Sequence, residues 1–193
     1  ESAAILMPNG NPLRMGDRLI QKNLSALFQK LVCAEQSNLG SREAGIRAAR
    51  DRFYRGDIAA RMVRFSEQHG GYLTCRDFEE FSVKIETPEL GTYKDYSIIT
   101  CGAWCQGPVL LQILNLLEGT DISSLGYNSG DYAHTLIEAV KLAFADREAY
   151  YGDPEFVDVP METLLSKEYA AERRQLIDPN LACPKMPPPG NFS

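Results

Sequence analysis

Hydrophobic and polar positions recur mostly with a helical period. The clearest stretch is 129–160, SGDYAHTLIEAVKLAFADREAYYGDPEFVDVP, in which Leu136, Val140, Ala143, Phe144 and Arg147 return at three- and four-residue spacing. Ser129 and Asp131 suit a helix N-terminus, Gly152 suits a stop, and Pro154 cannot continue the helix. Residues 155–159 form a short apolar segment closed by Pro160, which predicts a strand or extended loop.

Upstream, 7–18 (MPNGNPLRMGDR) is rich in Pro, Gly and Asn and reads as a loop. Leu24, Leu27, Phe28 and Leu31 predict a helix, followed by a polar break over 33–40. Ser41 then caps a helix with Ile46, Ala49 and Phe53 inward, ending at Gly56. Asp57 caps the next, with Ile58, Met62 and Phe65 inward and Gly70-Gly71 as its end. Thr74 and Asp77 match a capping box that starts a short helix. From Ser82 the period changes to two: Val83 and Ile85 alternate with polar residues, 88–91 suggests a turn, and 93–100 (YKDYSIIT) suggests a second strand, so a hairpin is expected.

Residues 101–107 (CGAWCQG) read as a loop entering a helix with Pro108 in its first turn. Leu110, Leu111, Ile113, Leu114, Leu116 and Leu117 leave that helix almost no polar face, so it should be deeply buried, with Gly119 as its end. One amphipathic helix is expected over 163–177, and 178–193 turns into a proline-rich, mobile linker. The fold class implied is mixed α+β, mainly helical.

Composition narrows the function classes. The 193 residues carry a net charge of −6, and no basic face stands out for nucleic-acid phosphates or an anionic membrane surface. The longest apolar run, 108–117, is broken by Gln112 and Asn115 and is too short to span a bilayer. Glu1-Ser2 opens with neither an initiator Met nor a signal-peptide pattern, which reads as a segment of something longer. Five cysteines (33, 75, 101, 105 and 183) make an odd set that favours reduced thiols over a disulfide scaffold, without excluding one bridge. Cys101 and Cys105 lack the further ligands of a zinc site.

The candidate chemistry is sparse. His69 precedes a Gly-Gly stop and suits the negative end of a helix dipole. His134 lies one turn from Glu138 and reads as a polar contact before a general base. Asp153, Glu155 and Asp158 lack the ligand order of a calcium loop and read as turn and cap residues. The Asp146-Arg147 pair reads as a salt bridge to a neighbouring loop, and Trp104 as packing on the hairpin, with a pocket-lining role as its alternative. There is no GxSxG, GxGxxG or P-loop sequence, so no complete catalytic set is present.

The order of modest motifs says more. Phe53-Tyr54-Arg55-Gly56-Asp57-Ile58-Ala59 precedes Gly70-Gly71, Leu73-Thr74 and Asp77-Phe78. Gly107-Pro108 and Leu114-Asn115-Leu116-Leu117-Glu118-Gly119 follow, then Asn128-Ser129, Tyr132, His134 and Glu138-Ala139. Ala143-Phe144-Ala145-Asp146-Arg147, Gly152-Asp153-Pro154, Phe156-Val157 and Val159-Pro160 complete the series. This series, over 10–178, resembles the later part of the large subunit of gamma-glutamyltransferases (gamma-glutamyltranspeptidases), which are N-terminal-nucleophile hydrolases. Two departures stand out: CGAWCQGP replaces a Pro-Pro/Ser-Gly-Gly type sequence, and the 33–50 connection is longer.

The resemblance implies an αββα sandwich to which this piece supplies mainly covering helices. It also implies a precursor that cuts itself, after which the N-terminal Thr of a following small subunit is the nucleophile and its own α-amine the base. On that reading 1–178 is a large-subunit portion and 179–193 a linker towards the cleavage site. The partner is the small catalytic subunit, and the substrate a gamma-glutamyl amide such as glutathione. The acyl group passes to water or to an amino acid or peptide. No cofactor, no metal and no catalytic residue of this chain is implied. Many family members are periplasmic or secreted, whereas the odd cysteine count is compatible with the cytoplasm. Related acylases of the same fold are the nearest alternative, and a non-catalytic helical interaction module is the alternative from another class. A threonine start for a second chain soon after Ser193 would separate enzyme from module.

Overall fold

The computed structural model describes residues 2–191; Glu1, Phe192 and Ser193, the last two being the end of the expected linker, lie outside the described residues. The chain divides into two compact units, Glu1–Lys84 and Ile85–Ser193. The described residues form a mainly helical α+β fragment whose strands make one two-stranded hairpin.

The first unit holds α1 (Ser2–Leu6), α2 (Lys22–Gln36), α3 (Arg42–Tyr54), α4 (Asp57–Gln68) and α5 (Cys75–Glu80). Helix α2 continues four residues into the expected break, because nothing before Ser37 stops it. Ser41 caps α3 as expected, its Oγ accepting the Ala44 N–H at 3.3 Å. The expected Asp57 cap is corrected: Gly56 is the N-cap, and Asp57 sits in the first turn of α4, where Lys30 Nζ (2.5 Å) and Arg52 Nε (3.1 Å) donate to its carboxylate. A Cβ at Gly56 would lie 2.5 Å from Arg52 O, so the α3–α4 corner needs glycine. The capping box of α5 forms in full, with Asp77 Oδ2 accepting from the Thr74 N–H at 2.7 Å.

The inward faces of α3 and α4 are turned from those expected. Ile58, Ala59 and Val63 are buried, whereas Ile46, Met62 and Phe65 are exposed. Leu24, Leu27, Ile58, Met62, Phe65 and Leu73 instead line an apolar groove of about 660 Å³. Hydrophobic spacing fixes a stripe but not which edge of it a neighbour covers.

The second unit begins with β1 (Glu89–Tyr93) and β2 (Tyr96–Thr100), paired antiparallel with Leu90 opposite Ile99 and Tyr93 opposite Tyr96. The hairpin exists, but its expected first strand is corrected: Val83 and Ile85 lie outside it, exposed, and the turn is Lys94-Asp95, with Lys94 at φ +52°. Gly91, expected in a turn, is a strand residue because Leu111 packs over it; a Cβ there would lie 2.6 Å from Leu111 Cδ2.

Helix α6 (Gly107–Glu118) is buried along most of its length, although Leu110 is exposed. Its Val109, Leu116 and Leu117 pack with Ala139, Leu142 and Ala143 of α7 (Gly130–Tyr150) to form the core. Ser129 caps α7, accepting the Tyr132 N–H at 3.0 Å. The stripe of α7 is rotated from the expected one: Glu138, Ala139, Leu142, Ala143, Ala145 and Asp146 are buried, while Leu136, Val140, Phe144 and Arg147 are half-buried. No strand forms over 155–159; Asp153 O accepts the Phe156 and Val157 N–H groups, closing a turn. The single helix expected over 163–177 is two, α8 (Met161–Leu164) and α9 (Lys167–Arg174), because Ser166 caps a new start by accepting the Tyr169 N–H at 3.1 Å.

Candidate functional site

The centre of the second unit is the carboxylate of Asp146, 2% exposed near the end of α7. Its Oδ2 accepts from Gln112 Nε2 at 3.1 Å and from the Tyr169 hydroxyl at 2.9 Å. Its Oδ1 accepts from the Arg173 guanidinium at 3.3 Å and from the Gly190 N–H at 2.9 Å. One buried charge therefore joins α6, α7, α9 and the proline-rich tail. Burial of such a charge is tolerated because it is paired and its lone pairs are filled.

Around it lies a second layer. Tyr151 donates its hydroxyl to Gln112 Oε1 at 2.9 Å, Tyr150 to Gly190 O, and Arg173 to Pro188 O at 2.9 Å. Burial, and secondarily the nearby Asp146 charge, raises the Tyr151 phenol above its ordinary range. Burial and the hydrogen bond to Asp146 raise Tyr169 likewise, so both hydroxyls are fixed as donors. Gly190 is buried, and a Cβ there would lie 2.7 Å from Tyr169 Cε2. The tail that reads as linker is thus hydrogen-bonded at Pro188 and Gly190.

Two smaller polar clusters brace the same unit. Lys167 Nζ donates to Asn115 Oδ1 (2.6 Å), Thr92 O (2.7 Å) and Glu118 Oε2 (2.5 Å). Arg174 covers the end of α6, donating to Leu116 O at 2.6 Å and Asn115 O at 3.0 Å. Glu138 accepts from Lys141 Nζ at 2.6 Å and from the Cys183 N–H at 3.3 Å. Burial acts to raise the Glu138 carboxyl, but the Lys141 ammonium and the Cys183 N–H outweigh it and hold it below its ordinary value.

The loop 101–107 lines two open cavities. One, of about 490 Å³, is faced by Glu86, Glu89, Trp104, Phe156, Asp158 and Met161. The other, of about 460 Å³, is faced by Trp104, Cys105, Gln106, Arg147, Tyr151 and Asp153. Trp104 is half exposed, and its Nε1 donates to Glu86 Oε2 at 2.7 Å. Trp104 thus lines both cavities, which is its alternative reading.

Neither histidine lines these cavities. His69 ends α4 with Nδ1 at 2.8 Å from Phe65 O, the dipole-end position expected. His134 Nε2 lies 2.7 Å from Asp178 O, a polar contact as expected, made to a backbone carbonyl 44 residues away. Asp153 serves its turn, accepting the Glu155 N–H at 3.0 Å. Arg147 pairs with Glu148 and lies 4.5 Å over the Phe144 ring, so the expected Asp146-Arg147 unit splits into one buried hub and one half-buried cation. The five cysteines are free thiols. Among the described residues no group of three or more His, Cys, Asp or Glu could hold a metal ion, and no helix is long and apolar enough to cross a membrane.

The hub leaves little local signal in the sequence: Gln112 on an otherwise apolar helix is its one visible trace, while Asn115 belongs to the Lys167 cluster. Chemically it positions backbone. Both oxygens of Asp146 are engaged twice by donors of the chain itself.

The family description "Gamma-glutamyltranspeptidase" matches residues 1–191. The acylase ACY 1 proenzyme of Pseudomonas sp. (strain SE83) is 38% identical over 177 residues, covering 91% of this chain and 29% of the relative. The glutathione hydrolase proenzyme of Pseudomonas sp. (strain A14) is 34% identical over 182 residues, covering 94% and 29%. Among solved structures, Helicobacter pylori gamma-glutamyltranspeptidase superposes with a TM-score of 0.73 at 29% identity, over 95% of this chain and 50% of that one. The chain thus spans about 29% of the length of these curated relatives. With the family match running over nearly every residue and the same backbone arrangement in a solved relative, the chain belongs to the gamma-glutamyltranspeptidase family.

Proposed function

We propose that this chain is the later large-subunit part of a precursor enzyme that cleaves gamma-glutamyl amide bonds of the glutathione type. The observation that carries the reading is the family match over residues 1–191, with relatives named as proenzymes. The nucleophile is the N-terminal threonine of a small subunit that follows this segment in the precursor. A free α-amine titrates near neutral pH, so it accepts the threonine hydroxyl proton as the oxygen attacks the amide carbonyl. Backbone N–H donors stabilise the oxyanion, and water or an acceptor amine then takes the acyl group.

In this scheme the chain's own residues hold and orient. Asp146, Tyr150 and Arg173 grip the backbone at Pro188 and Gly190, so this part of the linker is held against the helical unit ahead of the cleavage site. The small catalytic subunit is the partner, and part of the apolar surface of these helices packs within the larger assembly.

A second reading has its own support. The 38% identity to an acylase proenzyme favours hydrolysis of other side-chain amides on the same scaffold. Expressing the whole precursor tests both readings. Mass spectrometry should find two chains, the second beginning with threonine, and hydrolysis of gamma-glutamyl anilide should exceed that of simple acyl amides. Cleavage with acyl-amide preference would favour the acylase reading; an uncut, inactive precursor would overturn both.

A further inference from the structure

The loop between β2 and α6 carries a feature that the proposed chemistry leaves unused. Cys101 and Cys105 lie four residues apart, and the chain turns tightly between them, with the Cys105 N–H donating to Gly102 O at 3.1 Å. The turn closes further at Gly107, where a Cβ would lie 2.8 Å from Cys101 O. Cys101 is exposed and Cys105 half-buried, so a reagent reaches the pair from the Cys101 side. Trp104, the chain's single tryptophan, sits between them and faces both cavities.

From this juxtaposition we propose that Cys101 and Cys105 form a dithiol site that reacts with low-molecular-weight disulfides and closes to an intramolecular disulfide. One cysteine thiolate attacks a sulfur of the incoming disulfide RSSR, forming a mixed disulfide and expelling one thiolate RS⁻, which takes up a proton. The second cysteine, as thiolate, attacks the protein sulfur of that mixed disulfide and expels the other RS⁻. The dithiol loses two electrons and two protons, and RSSR becomes two RSH. A five-residue segment already bent back on itself loses little further freedom on closure, which favours the intramolecular product over two separate adducts. The sulfur of Cys105, and secondarily its charge, raises the Cys101 thiol above its ordinary value, so exchange at Cys101 quickens as pH rises. Closure fixes the loop that bears Trp104, and with it the shared wall of both cavities.

The test treats the reduced protein with bis(2-hydroxyethyl) disulfide, a probe without a gamma-glutamyl group, so its outcome is independent of the function proposed above. The expected result is a peptide spanning 101–105 that has lost two hydrogens, resists alkylation at both cysteines, and regains both thiols with dithiothreitol. Trp104 fluorescence should change in step with closure. Cys105→Ser should retain a hydroxyethylthio adduct on Cys101 that does not resolve. Separate adducts on Cys101 and Cys105 in the unaltered protein, or two thiols still open to alkylation after a reference dithiol has oxidised, would overturn the proposal without any variant being needed.

Discussion

Asp146→Asn removes a buried charge at nearly constant volume, and the structure sets the size of the effect. The carboxylate fills four hydrogen bonds, two on each oxygen, from Gln112, Tyr169, Arg173 and Gly190. An amide offers one oxygen, and its NH₂ turns donor against donor on the other side. Two buried donors then lose their acceptor, at about 1–3 kcal/mol each. The Arg173 guanidinium, 6% exposed, also loses its counter-charge, and breaking one side of a buried pair costs about 3–5 kcal/mol. These figures describe overlapping contacts, so the expected loss is about 3–5 kcal/mol in total, much of a typical domain's stability of about 5–15 kcal/mol. Urea unfolding followed by far-ultraviolet circular dichroism measures it. Tyr169→Phe, which removes one donor, should cost about 1.5–3 kcal/mol. Asp146→Leu with Arg173→Met, which deletes both charges, should be less destabilised than Asp146→Asn. A loss below about 1 kcal/mol for Asp146→Asn would refute the view that this carboxylate organises the unit.

Gly91→Ala puts a Cβ 2.6 Å from Leu111 Cδ2, and the buried Leu111 must shift to admit it, so a loss of about 1–3 kcal/mol is expected in the same urea titration. Glu138 gives a pH signature. Its folded carboxyl lies below the ordinary value of 4.5, so its contribution is complete above that pH and is lost as pH falls through the lower folded value. Glu138→Gln should therefore be less stable than the parent above pH 4.5 and converge on it in more acid solution; a gap that widens on acidification would contradict the assignment.

Local chemistry explains what could be read from the sequence alone. Ser41, Thr74 with Asp77, and Ser129 each act on a backbone N–H three residues away, and all three caps form where expected. The apolar run after Pro108 could only be a buried helix. What depended on distant partners was less legible. The rotation of α7 follows from packing against α6, so Ala139 and Leu142 face the core while Val140 faces sideways. Asp146 gathers partners 23 to 44 residues away, a pattern that no local period encodes. The tail looked unstructured by composition, yet its backbone at Gly190 meets a carboxylate that composition cannot reveal. Ser166 looked like an ordinary helix position until its hydroxyl was seen to start a new one. The family was legible because it rests on the order of many short motifs; the site was not, because its chemistry is proposed to lie on the other subunit.

The central claim is that these residues are the packing part of an enzyme whose reactive group is elsewhere in the precursor. Hydrolysis of a gamma-glutamyl anilide, followed for the 193-residue chain and for the full precursor side by side, tests it most directly. Turnover is expected from the precursor and none above background from the chain; steady turnover by the isolated chain would put the nucleophile within these residues.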